Sequence, residues 1–404
     1  MAITEKYVAA DADGAGDGTS TGSPWTLAQA VAGATSATRV NVKEGTYTLS
    51  GTLDVTYDGT QTDAIIWRGY KTSPGDLYPA KDAAYGGRDA TTGLLDTSDM
   101  PKINVGAHGI RWDNDNMHQV SGIAFYGGID GGSTDYACVE TGGYNSSWIG
   151  CSFKTTATTG SSSGNLGLTE PASAVEAADG NASFVDCDFI CEPSSSPSNA
   201  DGFRCLTSSG TRLGVFYCRF RMAGSATGAL VQAKSGHHAF SNCVFDGNNT
   251  AKAGIFSVHP SSCYTTVINS TFYDINGGAI RRDDGDFDDI ALLVNSIITD
   301  SDYAFQSDYS ATLPAILHNC RVRDNANADE VGDYPTDLAS HSTDTGTATS
   351  DFHSATGQDF RVVPGTTNGW NRGIWHQYAG ANNIGAFQSK GDRTRRGVPR
   401  TYHT

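Results

Sequence analysis

Ser183-Phe184-Val185-Asp186-Cys187-Asp188-Phe189 has five relatives further along the chain: Gly214 to Phe220, Ala239 to Phe245, Thr266 to Phe272, Leu292 to Ile298 and Ala315 to Val322. They align when Asp186, Tyr217, Asn242, Asn269, Asn295 and Asn319 share one column, and Gly122 and Gly150 extend that column upstream. Successive members are 24 to 36 residues apart, the length of one coil in a solenoid of short strands.

Each column has its own chemistry. Two residues before the marker stand Val120, Trp148, Phe184, Val215, Phe240, Val267, Leu293 and Leu317, all apolar and expected to face inward. The marker is Gly, Asp or Asn except at Tyr217, and these residues tolerate a left-handed bend. One residue later comes a mostly small column, Ile123, Cys151, Cys187, Cys218, Cys243, Ser270, Ser296 and Cys320. Three residues after the marker, Phe125, Phe153, Phe189, Phe220, Phe245 and Phe272 are expected to stack up the core, followed by Ile298 and Val322. A third strand precedes each pair, as at Ala137 to Glu140, Ala229 to Gln232, Ile255 to Ser257, Ala279 to Arg281 and Ala304 to Gln306. Strand, one-residue bend and strand in repeating register predict a parallel β-helix, since propeller blades need about 40 or more residues and antiparallel hairpins.

The expected division is an entry with a capping helix over 1–39, the β-helix over 40–323 and an irregular C-terminal section over 324–404 with a basic tail. The helix is expected to start at Ser23-Pro24, with Leu27, Ala28 and Val31 on its apolar face. Two polar insertions, Thr155 to Pro171 and Glu192 to Gly202, read as surface loops.

Composition narrows the partners. Forty-four acidic against 27 basic residues leave a charge of -17, which repels nucleic acid and anionic lipid, and no apolar run approaches the roughly 18 residues of a membrane helix. Nine cysteines without a CxxC pair suggest reduced, buried thiols, not a disulfide framework or a zinc site. The first eleven residues have neither a basic nor an apolar leader region, which suggests synthesis without a signal peptide.

Lys6-Tyr7-Val8-Ala9, Asp17-Gly18-Thr19, Pro24-Trp25-Thr26-Leu27, Val40 to Val42 and Gly45-Thr46-Tyr47 resemble the entry of pectate-lyase-like right-handed parallel β-helix proteins. Ile65 to Tyr70 with Pro74-Gly75-Asp76 is similar to a segment of phage β-helix proteins. Asp359 to Val362 and Ile384 to Phe387 resemble closing motifs of the same superfamily. These are scaffold motifs. The resemblance implies, for lyase members, Asp-held calcium with an Arg or Lys base and, for hydrolase members, paired acids, and neither pattern matches here residue by residue.

Asp283, Asp284, Asp286, Asp288 and Asp289, behind Arg281 and Arg282, could hold calcium or supply an acid pair, though a solvated turn is the simpler reading. Lys234, His259, Asp283 and Asp308 follow the third strands of successive coils and could line a glycan-binding face, against the simpler reading of outward polar decoration. Asp283, Asp286, Lys234 and His259 are therefore the catalytic candidates; no metal or other cofactor is expected. His237 and His238 fall on opposite sides of a strand, which suits no shared metal. In the tail, Lys390, Arg393, Arg395, Arg396 and Arg400 stand against Asp392 alone, so Arg393, Arg395 and Arg396 are candidates for docking an acidic partner.

The expected function is a phage virion structural protein, head decoration or tail-associated, contacting other virion proteins and possible host glycans. Such a protein would be a homo-oligomer, with a trimer as one form. The alternative is a polysaccharide lyase or hydrolase of the tailspike depolymerase type, and a glycan-binding adhesin is a third class.

Overall fold

The computed structural model of the chain describes residues 2–57, 59–60, 63–77, 88, 93–106, 108–112, 117–127, 137–141, 146–156, 172–177, 181–192, 200–205, 212–224, 228–233, 236–257, 263–282, 290–307, 315–318, 320–323, 352–354 and 359–362. Three parallel sheets run along one axis and form a parallel β-helix. Sheet A has eleven strands, from Thr4–Val8 to Ala315–His318; sheet B has ten, from Gly45–Thr48 to Arg321–Arg323; sheet C has nine, from Leu53–Asp54 to Tyr303–Ser307. One coil shows the order: Ala172–Ala177 lies in sheet C, Asn181–Val185 in sheet A and Asp188–Cys191 in sheet B. Among the named strands, only Phe352–Ser354 and Asp359–Val362 pair antiparallel.

The corner between sheets A and B is a single residue with positive φ. Gly122, Gly150, Asp186, Tyr217, Asn242, Asn269 and Asn295 have φ of 62°, 59°, 54°, 59°, 58°, 50° and 50°. Asn319 lies outside the described residues. From Gly122 to Asn269, each corner N–H donates to the carbonyl just before the next coil's corner, as Asn242 N does to Ile268 O and Asn269 N to Val294 O, both at 2.9 Å. A side-chain ladder adds to this where Asn295 Nδ2 donates to Asn269 Oδ1 at 3.1 Å.

The small column after the corner does more than fill space. The Cys187, Cys218 and Cys243 thiols donate back to the carbonyls of Val185, Phe216 and Ser241, and the Ser270 and Ser296 hydroxyls to those of Ile268 and Val294. In return, the Oγ of Ser270 accepts from Cys243 N at 3.1 Å, and that of Ser296 from Ser270 N at 3.3 Å. Cysteine and serine are interchangeable here because both offer one donor and one acceptor in a small volume. These contacts satisfy corner groups that sharp reversal would otherwise leave unpaired in the interior.

The core lies between the sheets. Phe125, Phe153, Phe189, Phe220, Phe245 and Phe272 stack face to face, with centroids 5.4, 5.3, 4.7, 4.9 and 4.3 Å apart in turn. Trp148 and Phe184 meet this stack edge-on from sheet A, an arrangement that matches the ring quadrupoles.

Two local readings need correction. The helix spans Leu27–Gly33, one turn beyond Ser23-Pro24, because Thr26 caps it and forms a reciprocal capping box with Gln29. Its buried residues are Leu27, Ala30 and Val31, whereas Ala28 is exposed. The insertion after Cys191 is also shorter than its composition suggests, since Ala200–Cys205 pairs in register with Ala172–Ala177. Sheet pairing here overrides a polar, turn-prone composition.

Two measurements test the corner. Asn295→Val places a β-branched residue at positive φ and removes the ladder bond, so urea unfolding should show a loss of about 2–3 kcal/mol. The eight described cysteines are free and buried, and burial pushes the Cys138 and Cys243 thiols up to about 12. Thiol reagent should therefore react slowly with native protein and fast once denaturant unfolds it; rapid native labelling would contradict the packed column.

Candidate functional site

Strand alternation leaves one register line on sheet C in opposite phase to the buried Ile110, Val139, Val175, Phe203, Val231, Ile255, Ile280 and Phe305. Arg111 pairs with Glu140, Glu140 with Glu176, Glu176 with Arg204, and Arg204 with Gln232. The line continues through Phe256 and Arg281 to Gln306. Two glutamates thus occupy adjacent strands, about 4.8 Å apart in backbone spacing, between two arginines. Further along, Gln232 and Phe256 are buried, and the Arg281 guanidinium lies 5.5 Å from the Phe256 ring centroid.

Sheet B carries charge too, but internal partners engage it. Arg88 lies in the long connection between Ile65–Tyr70 and Pro101–Gly106, yet it reaches a corner almost a hundred residues away. Its NH1 lies 2.7 Å from Asp188 Oδ1 and its NH2 2.8 Å from Asp186 Oδ1. Its NH1 also donates to Gly93 O, and Leu95 N donates to Asp188 Oδ2. Gly93 has φ +63°, a backbone conformation that favours glycine, and a Cβ there would stand 2.2 Å from the end of the Arg219 side chain, which would have to shift. Burial alone would lower the Arg88 pKa, but the Asp188 and Asp186 charges outweigh it and raise it. The arrangement is a clasp, holding one segment across sheet B.

Beyond the clasp, Arg221 Nε is 3.9 Å from Asp246 Oδ2. Burial pushes the Asp246 carboxyl up to about 6, with Arg221 only partly offsetting it. Burial likewise raises Asp274.

Of the sequence candidates, Lys234, His259, Asp308 and the whole cluster Asp283, Asp284, Asp286, Asp288 and Asp289 lie outside the described residues, as do Arg393, Arg395 and Arg396. The strands preceding the first group end at Ala233, Ser257, Arg282 and Ser307, which are register partners. His237 is exposed and stacks on Tyr264 at 4.8 Å, whereas His238 is buried. No group of three or more His, Cys, Asp or Glu suited to a metal occurs among the described residues. Sequence reading passed over Glu140, Glu176, Asp188, Arg221 and Asp246. The last three stand two or four positions after the corner, in opposite phase to the phenylalanine column, and that alternation was the available signal.

No family model and no curated protein matches the chain. Among solved structures, the pectate lyase Pel9A is similar over 96% of this chain and 97% of its own, with a TM-score of 0.62 and 14% identity. A mannuronic acid specific family 6 polysaccharide lyase from human gut microbiota covers 79% of this chain and 58% of its own, at 13% identity and a TM-score of 0.37. The family 6 alginate lyase AlyGC has a TM-score of 0.38 at 12% identity, over 77% of this chain and 48% of its own. Nothing in these likenesses bears on a virion role. What the likeness to Pel9A shows is a shared parallel β-helix fold.

Titration should expose the buried carboxyl. Its folded pKa of about 6 exceeds the ordinary 3.8, so its contribution to stability is complete below about pH 4 and is lost as pH rises through 6. Asp246→Asn should remove a component on the order of 2 kcal/mol from the change in unfolding free energy between pH 4 and pH 7. An unchanged pH profile would show that Asp246 titrates normally.

Proposed function

We propose that the protein cleaves an anionic polysaccharide laid along sheet C, with Glu140 and Glu176 as the reacting carboxyl pair. The register line Arg111, Glu140, Glu176, Arg204 carries this reading. Register brings these two carboxylate residues together on neighbouring strands, and carboxyls so placed can differ in protonation because each disfavours the charge of the other. That difference suits one as general acid and the other as base or nucleophile at a glycosidic bond, where retaining enzymes hold their carboxyls about 5–5.5 Å apart. Arginine, which stands at Arg111 and Arg204 on the two flanking strands, is the residue type suited to the carboxylates of a uronate chain. An acidic protein gains little from general attraction to such a polymer, so binding depends on these local arginines. The extended β-helix supports the reading as well, since one residue per coil gives a linear array parallel to a linear substrate, and the pectate lyase likeness sets it on a fold that carries polysaccharide cleavage.

The test is a panel of uronate-containing polysaccharides, scored for new reducing ends and for the absorbance of unsaturated ends. Wild-type protein should release reducing ends, and Glu140→Gln and Glu176→Gln should each lower the rate by roughly 10²-fold or more while the fold persists by circular dichroism. Release of unsaturated ends would place an arginine in the base role instead. Full activity in both variants, or none in the wild type, would sink the assignment.

A further inference from the structure

We infer that the outer face of sheet A is the surface through which the protein binds a second copy of itself. The eight strands from His118–Ser121 to Ala315–His318 contain no aspartate, glutamate or lysine, and Arg212 is their one formally charged residue. In the corresponding coils the strands of sheet B carry seven charged residues, Lys154, Asp188 and Asp246 among them, and those of sheet C seven, among them Arg111, Glu140, Glu176 and Asp201. The outward line on sheet A reads Ile149, Val185, Phe216, Ser241, Ile268 and Val294. All are partly or fully exposed.

At its middle sits an aromatic pair. Only four large hydrophobic residues are exposed among the described residues: Ile3 at 46%, Tyr57 at 44%, Phe216 at 38% and Tyr217 at 41%. Two of the four are consecutive: Phe216 ends its strand on this face, and Tyr217 is the corner residue beside it. Tyr217 also holds the corner conformation, φ 59°, that the other described coils give to Gly, Asp or Asn. A bulky residue there costs about 1–3 kcal/mol, and the corner itself needs no tyrosine, since Asn242, Asn269 and Asn295 turn the same way. The use of that ring lies outside the coil.

Charge selects the partner. Two chains of charge -17 repel wherever carboxylates meet, and this long face is the one whose strands offer none. Asp186, the carboxylate next to Tyr217 in the corner column, is paired with Arg88, which it shares with Asp188. The strand Arg212–Phe216 is fourth of the eight, so a twofold axis near it sets Phe216 and Tyr217 against their counterparts, as an isologous pair requires. Eight strands at about 4.8 Å, each roughly 16 Å long, give a pair of faces burying on the order of 1,000 Å² or more, the threshold for a specific interface.

Sedimentation velocity over a range of protein concentrations, with the full chain, decides the matter. The wild type should be a dimer that dissociates on dilution, and Phe216→Asp should shift its midpoint at least 100-fold toward monomer, whereas Lys154→Ser on sheet B should leave it unchanged. Tyr217→Asn separates docking from folding: relief of the corner raises the melting temperature of the monomer while weakening the dimer at least 10-fold. A wild type that is monomeric at every concentration overturns the inference, as does an assembly that survives both substitutions. A monomer whose retention on immobilised polysaccharide is lost in Phe216→Asp assigns the face to a glycan and equally overturns it.

Discussion

Everything in this molecule follows from holding successive strands about 4.8 Å apart in register while the chain turns a corner on one residue. A corner that tight leaves an amide without an intrastrand partner. The next coil supplies the acceptor, and the small residue beside the corner supplies a donor and acceptor of its own. Column identity is therefore a hydrogen-bond requirement as much as a steric one. Once the corners coincide, the phenylalanines three residues later have nowhere to go but above one another, and the aromatic stack is a consequence of the register.

The same register turns each outer face into a set of straight lines. On sheet C a line of charges results, on sheet A a neutral one. The difference does not come from the fold, which treats the three faces alike; it comes from which residues fill the outward phase. Sheet B shows a third outcome, in which a distant segment takes up the outward charges. Arg88 bridges two carboxylates and Gly93 makes room for Arg219, so that part of the face is covered.

Periodicity made the solenoid legible. The marker column, the inward residues before it and the phenylalanines after it keep fixed offsets from one another although the coils range from 24 to 36 residues, and a residue type that recurs for a physical reason can be read from one chain. The helix start was misplaced because Ser23-Pro24 is a strong local signal, while the reciprocal Thr26 and Gln29 contacts depend on actual geometry. The clasp was not legible at all: Arg88 and Asp188 are 100 residues apart, and nothing repeats to connect them. Glu140 and Glu176 were visible only as members of strands, because the polar search followed acidic clusters in sequence. Register lines gather residues from separate coils, and a run such as Asp283 to Asp289 attracts notice that its density alone does not justify.

The clasp also alters how the solenoid can come apart. Coils that touch only their neighbours unfold in a nearly one-dimensional way, from either end, each step costing one interface. A bridge from Arg88 to Asp186 and Asp188 ties the connection following the Ile65–Tyr70 strand to a corner three strands further along sheet A. The coils between them cannot open singly without breaking it, so they should melt as one block. Coils beyond Phe245 have no such described tie and are free to fray stepwise from the far end. An otherwise uniform stack thereby acquires a cooperative half and a graded half, set by one arginine.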